Sequence, residues 1–150
     1  MADRRATVTW KGTLTEGSGT IDTGSGALSG APVTWASRVE QPDGKTSPEE
    51  LLAAAEAECY AMVLTNMLSK AGNTPDSLKV TAVCTVEKQG SGLKITTIRL
   101  EVEGEVPGVD GETFSRTAQE AEQSCPVSNT LRGNVDISVH AQLSTTAATS

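Results

Sequence analysis

The sequence has few large side chains. Aromatic residues make up 3% of 150 residues: one Phe, one Tyr and two Trp. A core must therefore be assembled from Val, Leu, Ile and Ala, and burying enough area this way favours association with a second copy. Histidine occurs once, as His140, so His-rich metal sites are excluded and a Cys-His protease dyad is not expected. The three cysteines include no C-x-x-C pair, which argues against zinc and against a general disulfide oxidoreductase. Basic charge is also scarce. A net charge of -7 disfavours nucleic acid and anionic membrane surfaces, which reward clustered Lys and Arg. No unbroken run of about 18 apolar residues is present, so no membrane span is expected. The start, Met1-Ala2-Asp3-Arg4-Arg5, lacks the apolar segment of a signal peptide, and the expected compartment is the cytoplasm. There, three cysteines are not expected to form a structural disulfide scaffold.

What is present reads as one domain over residues 1–150, ordered from about 3 to 143, with 144–150 a frayed Thr/Ala/Ser tail. Ala6, Val8 and Trp10 alternate with Thr7, Thr9 and Lys11, predicting a half-buried strand. Six glycines between residues 12 and 31 surround a short strand near Gly19–Thr23. No Gly-Lys-Ser/Thr follows them, so they are read as hairpin turns and not as a phosphate loop. Val33–Val39 is expected as a strand carrying Trp35 and Arg38.

A long helix should begin at Ser47-Pro48-Glu49-Glu50, where Ser47 and Glu50 form a capping box and Pro48 occupies the first helical position. Its apolar face is predicted along Leu52, Ala55, Cys59, Met62, Val63, Asn66 and Met67, and Gly72 suits its left-handed end. Two strands follow, Leu78–Val86 and Ile95–Val106, joined by the turn Gln89-Gly90-Ser91-Gly92. A second helix carries Phe114, Ala118, Ala121 and Cys125 on one face. Pro126 breaks it and opens a short helix, and Val135–Leu143 is a last strand with His140 facing solvent. The fold class is α+β.

Cys59 and Cys125 hold most of the readable chemistry. A free thiol with a pKa of ~8.5 is only about 3% ionised at pH 7. Bringing it to about 6 needs roughly 3 kcal/mol of differential stabilisation. With no usable histidine, a guanidinium is the alternative source: Arg38 is always charged, and Glu50 is available as its carboxylate partner. Each residue also has an ordinary reading. Arg38 fits a strand surface, Glu50 a capping box, Cys84 a core strand, and Cys59 a small core residue on a helix. Spacing alone does not bring Cys59 to Cys125.

The segments Thr46-Ser47-Pro48-Glu49-Glu50-Leu51-Leu52-Ala53-Ala54-Ala55…Cys59 and Ala121-Glu122-Gln123-Ser124-Cys125-Pro126-Val127-Ser128 closely resemble the OsmC/Ohr family of organic hydroperoxide reductases. Further likenesses are Trp10-Lys11-Gly12, Ser37-Arg38 and Val106-Pro107-Gly108-Val109, so the resemblance runs from Thr7 to Leu143, with details closer to the OsmC branch. The resemblance implies an interwound homodimer with antiparallel sheets packed around two long central helices. It implies a thiol peroxidase of oxidative or osmotic stress defence, in which Cys59 attacks the peroxide, Cys125 resolves the sulfenic acid, and Arg38, oriented by Glu50, holds the thiolate and the substrate oxygen. Organic hydroperoxides would be the preferred substrates, a dithiol or lipoylated protein the reductant, and no metal or cofactor is implied. The chain departs from the family at Glu56, where histidine is common, and at Glu58 and Tyr60. Glu56 is the acid expected to share a face with Cys59, which leaves a second reading: a stress or apolar-ligand-binding protein with weak or no peroxidase activity.

Overall fold

A computed structural model describes residues 1–144, and the tail expected at 145–150 lies outside the described residues. Ser144, placed in that tail by sequence, is held by a 2.7 Å bond from its amide to the Gly104 carbonyl. The chain divides into two compact units, Met1–Leu51 and a second beginning at Leu52.

The first unit is a three-stranded antiparallel sheet of β1 (Ala6–Lys11), β2 (Ser18–Thr23) and β3 (Ala31–Val33), followed by helix α1 (Trp35–Val39). Trp10 opposes Gly19 across β1 and β2. A Cβ at Gly19 would lie 2.7 Å from the indole, so the ring requires glycine there. All six residues of β1 are exposed, against the expected half-buried face, because three short strands leave it uncovered. The predicted strand over Val33–Val39 stops at Val33. Thr34 and Ser37 form a reciprocal capping box, and these local bonds turn the chain into α1 in place of a longer strand.

Helix α2 (Pro48–Lys70) starts and stops as the sequence predicts, with the Glu50 amide donating to Ser47 Oγ at 3.2 Å and Gly72 at φ 88° beyond its end. Its buried residues are Glu49 in the first turn and then Glu56, Tyr60, Leu64 and Leu68, the last four one position away from the predicted stripe, while Met62 is 63% exposed. Its apolar residues are spread around the helix, so periodicity does not select the inner face. By length and mean hydropathy (1.2 over 18 residues) α2 also qualifies as a membrane span, although Glu56 and Glu58 interrupt any unbroken apolar run.

The second unit packs α2 with a sheet of order β4 (Ser77–Gln89), β5 (Gly92–Glu105) and β6 (Asp136–Leu143). β4 and β5 form the predicted hairpin; β6 joins β5 in parallel, so this sheet is mixed and not wholly antiparallel. The reason is the crossover through α3 (Gly111–Ser124) and α4 (Pro126–Leu131), which carries the chain back to the end where β5 began. Asp110 caps α3 by accepting from the Thr113 amide at 2.7 Å. Phe114, Ala118 and Ala121 of α3 meet Tyr60, Leu64 and Leu68 of α2 and Leu100, Val102 and Val139 of the sheet in one core that includes Cys125.

Candidate active site

In the first unit, α1 presents Arg38 to a carboxylate. Arg38 Nε donates to Glu49 Oε1 at 2.9 Å and Oε2 at 3.3 Å, and Nη2 lies 2.9 Å from Oε1. The guanidinium carbon also sits 5.9 Å from the centre of the Trp35 ring. Glu49 is buried at 6% exposure. The expectation that Glu50 orients Arg38 is therefore corrected. Glu50 is exposed, and its Oε1 accepts from Thr46 Oγ1 at 2.8 Å. Successive helix residues point about 100° apart, so only one of the two acids can face α1. The capping-box motif drew the sequence reading to Glu50, whereas Glu49 carries no local signature.

In the second unit, the fold brings the two thiols together. Cys59 projects from the middle of α2, half-buried. Cys125 is fully buried at the junction where α3 ends and Pro126 opens α4. Both are free thiols, and Cys125 and the Val127 backbone are among the neighbours that shift the Cys59 thiol. Burial, followed by Cys125 and Glu56, pushes the Cys59 thiol above its ordinary value, opposed by the Val127 amide. Among the described residues, no cation of this unit contributes to the shift of Cys59.

Behind the thiols lies a buried polar cluster that sequence reading covered only in part. Glu56 is fully buried, accepts a hydrogen bond from the equally buried Ser128 hydroxyl, and lies 3.8 Å from Cys125 Sγ. Its Oε2 makes no hydrogen bond among the described residues. Burial, and then the charge of Glu122, hold its carboxyl above the usual range, against the Ser128 and Cys125 bonds and the charge of Arg132. Glu122 is itself buried, paired with Arg132 Nη2 at 2.8 Å and bonded to Gln123 Nε2 at 2.7 Å. Tyr60, beside Cys59, donates to the Ala118 carbonyl at 2.7 Å, which fixes α2 against α3. Ser128 was invisible as a site residue because its partner Glu56 is 72 positions away, and Glu122 because its ion pair with Arg132 has no local signature. His140 is exposed on β6, as its alternation predicts, in a shallow cleft with Lys79 and Glu101. Among the described residues, no group of three His, Cys, Asp or Glu is placed to hold a metal.

A mixed α+β chain with a buried cysteine at a helix junction facing a second cysteine on a long helix defines a class of cysteine-based proteins. The chain belongs to the OsmC-like protein family, whose model matches residues 41–140. It is 41% identical over 128 residues to the Escherichia coli protein called peroxiredoxin OsmC, covering 85% of this chain and 89% of that one. The organic hydroperoxide resistance protein of Xanthomonas axonopodis pv. citri is 31% identical over 102 residues, 63% of this chain and 65% of the other. The crystal structure of the organic hydroperoxide resistance protein OhrB of Bacillus subtilis superposes with a TM-score of 0.72 at 26% identity, over 92% of this chain and 98% of that one.

Proposed function

We propose that this chain is a thiol-dependent peroxidase that reduces organic hydroperoxides to alcohols. The observation that carries the reading is that the free thiols of Cys59 and Cys125 lie at the same core as near neighbours. The names of the relatives, peroxiredoxin and organic hydroperoxide resistance protein, support it. In this mechanism the Cys59 thiolate attacks one peroxide oxygen and the O–O bond breaks. The alkoxide leaves with a proton as alcohol, and Cys59 becomes a sulfenic acid. Cys125 then displaces the sulfenic hydroxyl as water, forming the Cys59–Cys125 disulfide. An external dithiol or lipoylated protein returns both thiols.

Arg38 is proposed to hold the thiolate and the peroxide oxygen, with Glu49 orienting its guanidinium. A cation beside Cys59 would oppose the upward push that burial and its neighbours exert on the thiol. The protein is proposed to work as a cytoplasmic homodimer in stress defence. The fully exposed β1 and the uncovered Ala54, Ala55 and Met62 side of α2 supply apolar surface for a second copy.

The experiment is thiol titration before and after one equivalent of cumene hydroperoxide. Loss of two thiols per chain, mapped to Cys59 and Cys125, is expected; no thiol loss would overturn the reading. Glu56 favours the second reading, a ligand-binding stress protein of weak peroxidase activity, since a buried acid beside the thiols opposes thiolate formation. Slow thiol loss together with saturable binding of an apolar ligand would support that alternative.

A further inference from the structure

We propose that Glu56 is the general base of the resolving step, taking the proton of Cys125 as its sulfur attacks the Cys59 sulfenic acid and delivering it to the departing hydroxide. The inference rests on the peroxidase reading above. Resolution needs such a group. Cys125 is fully buried, its sulfur is hydrogen-bonded to no cation among the described residues, and it must lose a proton to become a useful nucleophile. The acceptor already in place is Glu56 Oε1, 3.8 Å from Cys125 Sγ.

The geometry around this carboxylate suits the task. Ser128 of α4 donates to the same oxygen and fixes the side chain, while buried Oε2 has no hydrogen-bond partner among the described residues. Glu56 stands three residues before Cys59 on α2, a spacing that places side chains on one helix face about 5–6 Å apart between Cβ atoms. One carboxylate therefore neighbours both sulfurs of the reaction.

The charged and titratable groups facing Glu56 are few and come from each packed element: Cys59 on α2, Glu122 on α3, Cys125 at the junction, and Arg132 after α4. Arg132 is spent on Glu122, which it meets at 2.8 Å, and among the described residues Glu56 has no direct cationic partner. Burial and Glu122 raise its proton affinity, toward the range where a carboxylate both accepts and returns a proton. The atoms balance. Cys125 loses S–H, Cys59 loses its hydroxyl, the S–S bond forms, and Glu56 ends in its starting state beside one water.

The test separates the two steps by rapid mixing with one equivalent of cumene hydroperoxide. Peroxide loss reports attack by Cys59, and dimedone trapping against thiol counting reports sulfenic acid against disulfide. Glu56→Gln keeps the shape and an oxygen for Ser128 but cannot take the proton. It is expected to consume peroxide at least as fast as the wild type, since a negative charge near Cys59 is gone. It should also accumulate trappable sulfenic acid and form the disulfide about a hundredfold more slowly.

Glu56→Asp should recover part of that rate, and Ser128→Ala, which frees the carboxylate without removing it, should slow resolution by less. The rise in wild-type resolving rate with pH that follows carboxylate ionisation should vanish in Glu56→Gln. Disulfide formation at the wild-type rate in Glu56→Gln overturns the proposal. So does equal slowing of both steps, which would mark a structural role. If Glu56→Gln does not fold, unchanged resolution in both Glu56→Asp and Ser128→Ala overturns it. Absence of peroxide uptake by the wild type overturns the peroxidase reading itself, and the role of Glu56 with it.

Discussion

Arg38 and Glu49 form a two-pronged ion pair, with Nε and Nη2 both 2.9 Å from Glu49 Oε1, while the adjacent Glu50 bonds to Thr46 instead. A carboxylate at 7% side-chain exposure that loses its charge leaves a guanidinium without its orienting partner. Glu49→Gln is therefore expected to destabilise the chain by about 2 kcal/mol, less than the ~3–5 kcal/mol of a fully buried pair because Arg38 remains 31% exposed. It should also slow peroxide consumption more than Glu50→Gln does. Urea denaturation and peroxide assays of the two variants check this, and equal effects would return Glu50 to the site.

The two thiols should separate by stoichiometry. Cys59→Ser is expected to abolish dithiol-driven turnover of cumene hydroperoxide. Cys125→Ser should consume about one peroxide per chain and then stall with Cys59 oxidised. Full turnover in Cys59→Ser would remove Cys59 from the chemistry.

Burial and its neighbours raise the Cys59 thiol above its ordinary value, and the role proposed for Arg38 is to oppose that rise. Thiolate absorbance against pH should give Arg38→Ala a higher Cys59 pKa than the wild type. Glu56→Gln should move it the other way, because one source of the upward push is that carboxylate. Titrations that coincide in wild type and Arg38→Ala would exclude Arg38 from the thiol.

Stability should depend on pH through Glu56. Its carboxyl titrates above 4.5 in the folded chain, so the folded state binds more protons than the unfolded state just above that value. That contribution is fully present below pH 4.5 and is lost as pH rises through the folded pKa. Denaturation under reducing conditions at several pH values should show Glu56→Gln gaining on the wild type as pH rises. A constant difference would mean that Glu56 titrates normally.

Phe114 is the single phenylalanine of the chain, and its ring lies against the backbone of Gly104. A Cβ there would stand 2.6 Å from Phe114 Cζ and 3.2 Å from Leu78 Cδ2. With the ring fully buried, Gly104→Ala should cost ~1–3 kcal/mol by overpacking. A melting temperature equal to that of the wild type would show that the ring moves freely.

The elements most legible in the sequence were those with local signals. Ser47 and Pro48 start α2, Gly72 lies beyond its end, the Gln89–Gly92 turn joins β4 to β5, and Pro126 divides α3 from α4. Where two local signals competed, the reading failed. Thr34 and Ser37 closed a capping box inside a stretch read as strand, and Arg38 left the sheet for a helix.

By itself, the sequence determined the α+β class, the long helix, the break at Cys125 and the family, because these rest on short-range bonding and on motifs read in order. Only the tertiary structure decided three further points: which acid meets Arg38, which stripe of α2 turns inward, and that Glu56 and Ser128 close in behind the two thiols. The physical reason is the same in each case. An apolar helix with acids at successive positions offers several equally good faces, and the choice among them is made by side chains that lie far away in sequence and pack against it only once the chain has folded.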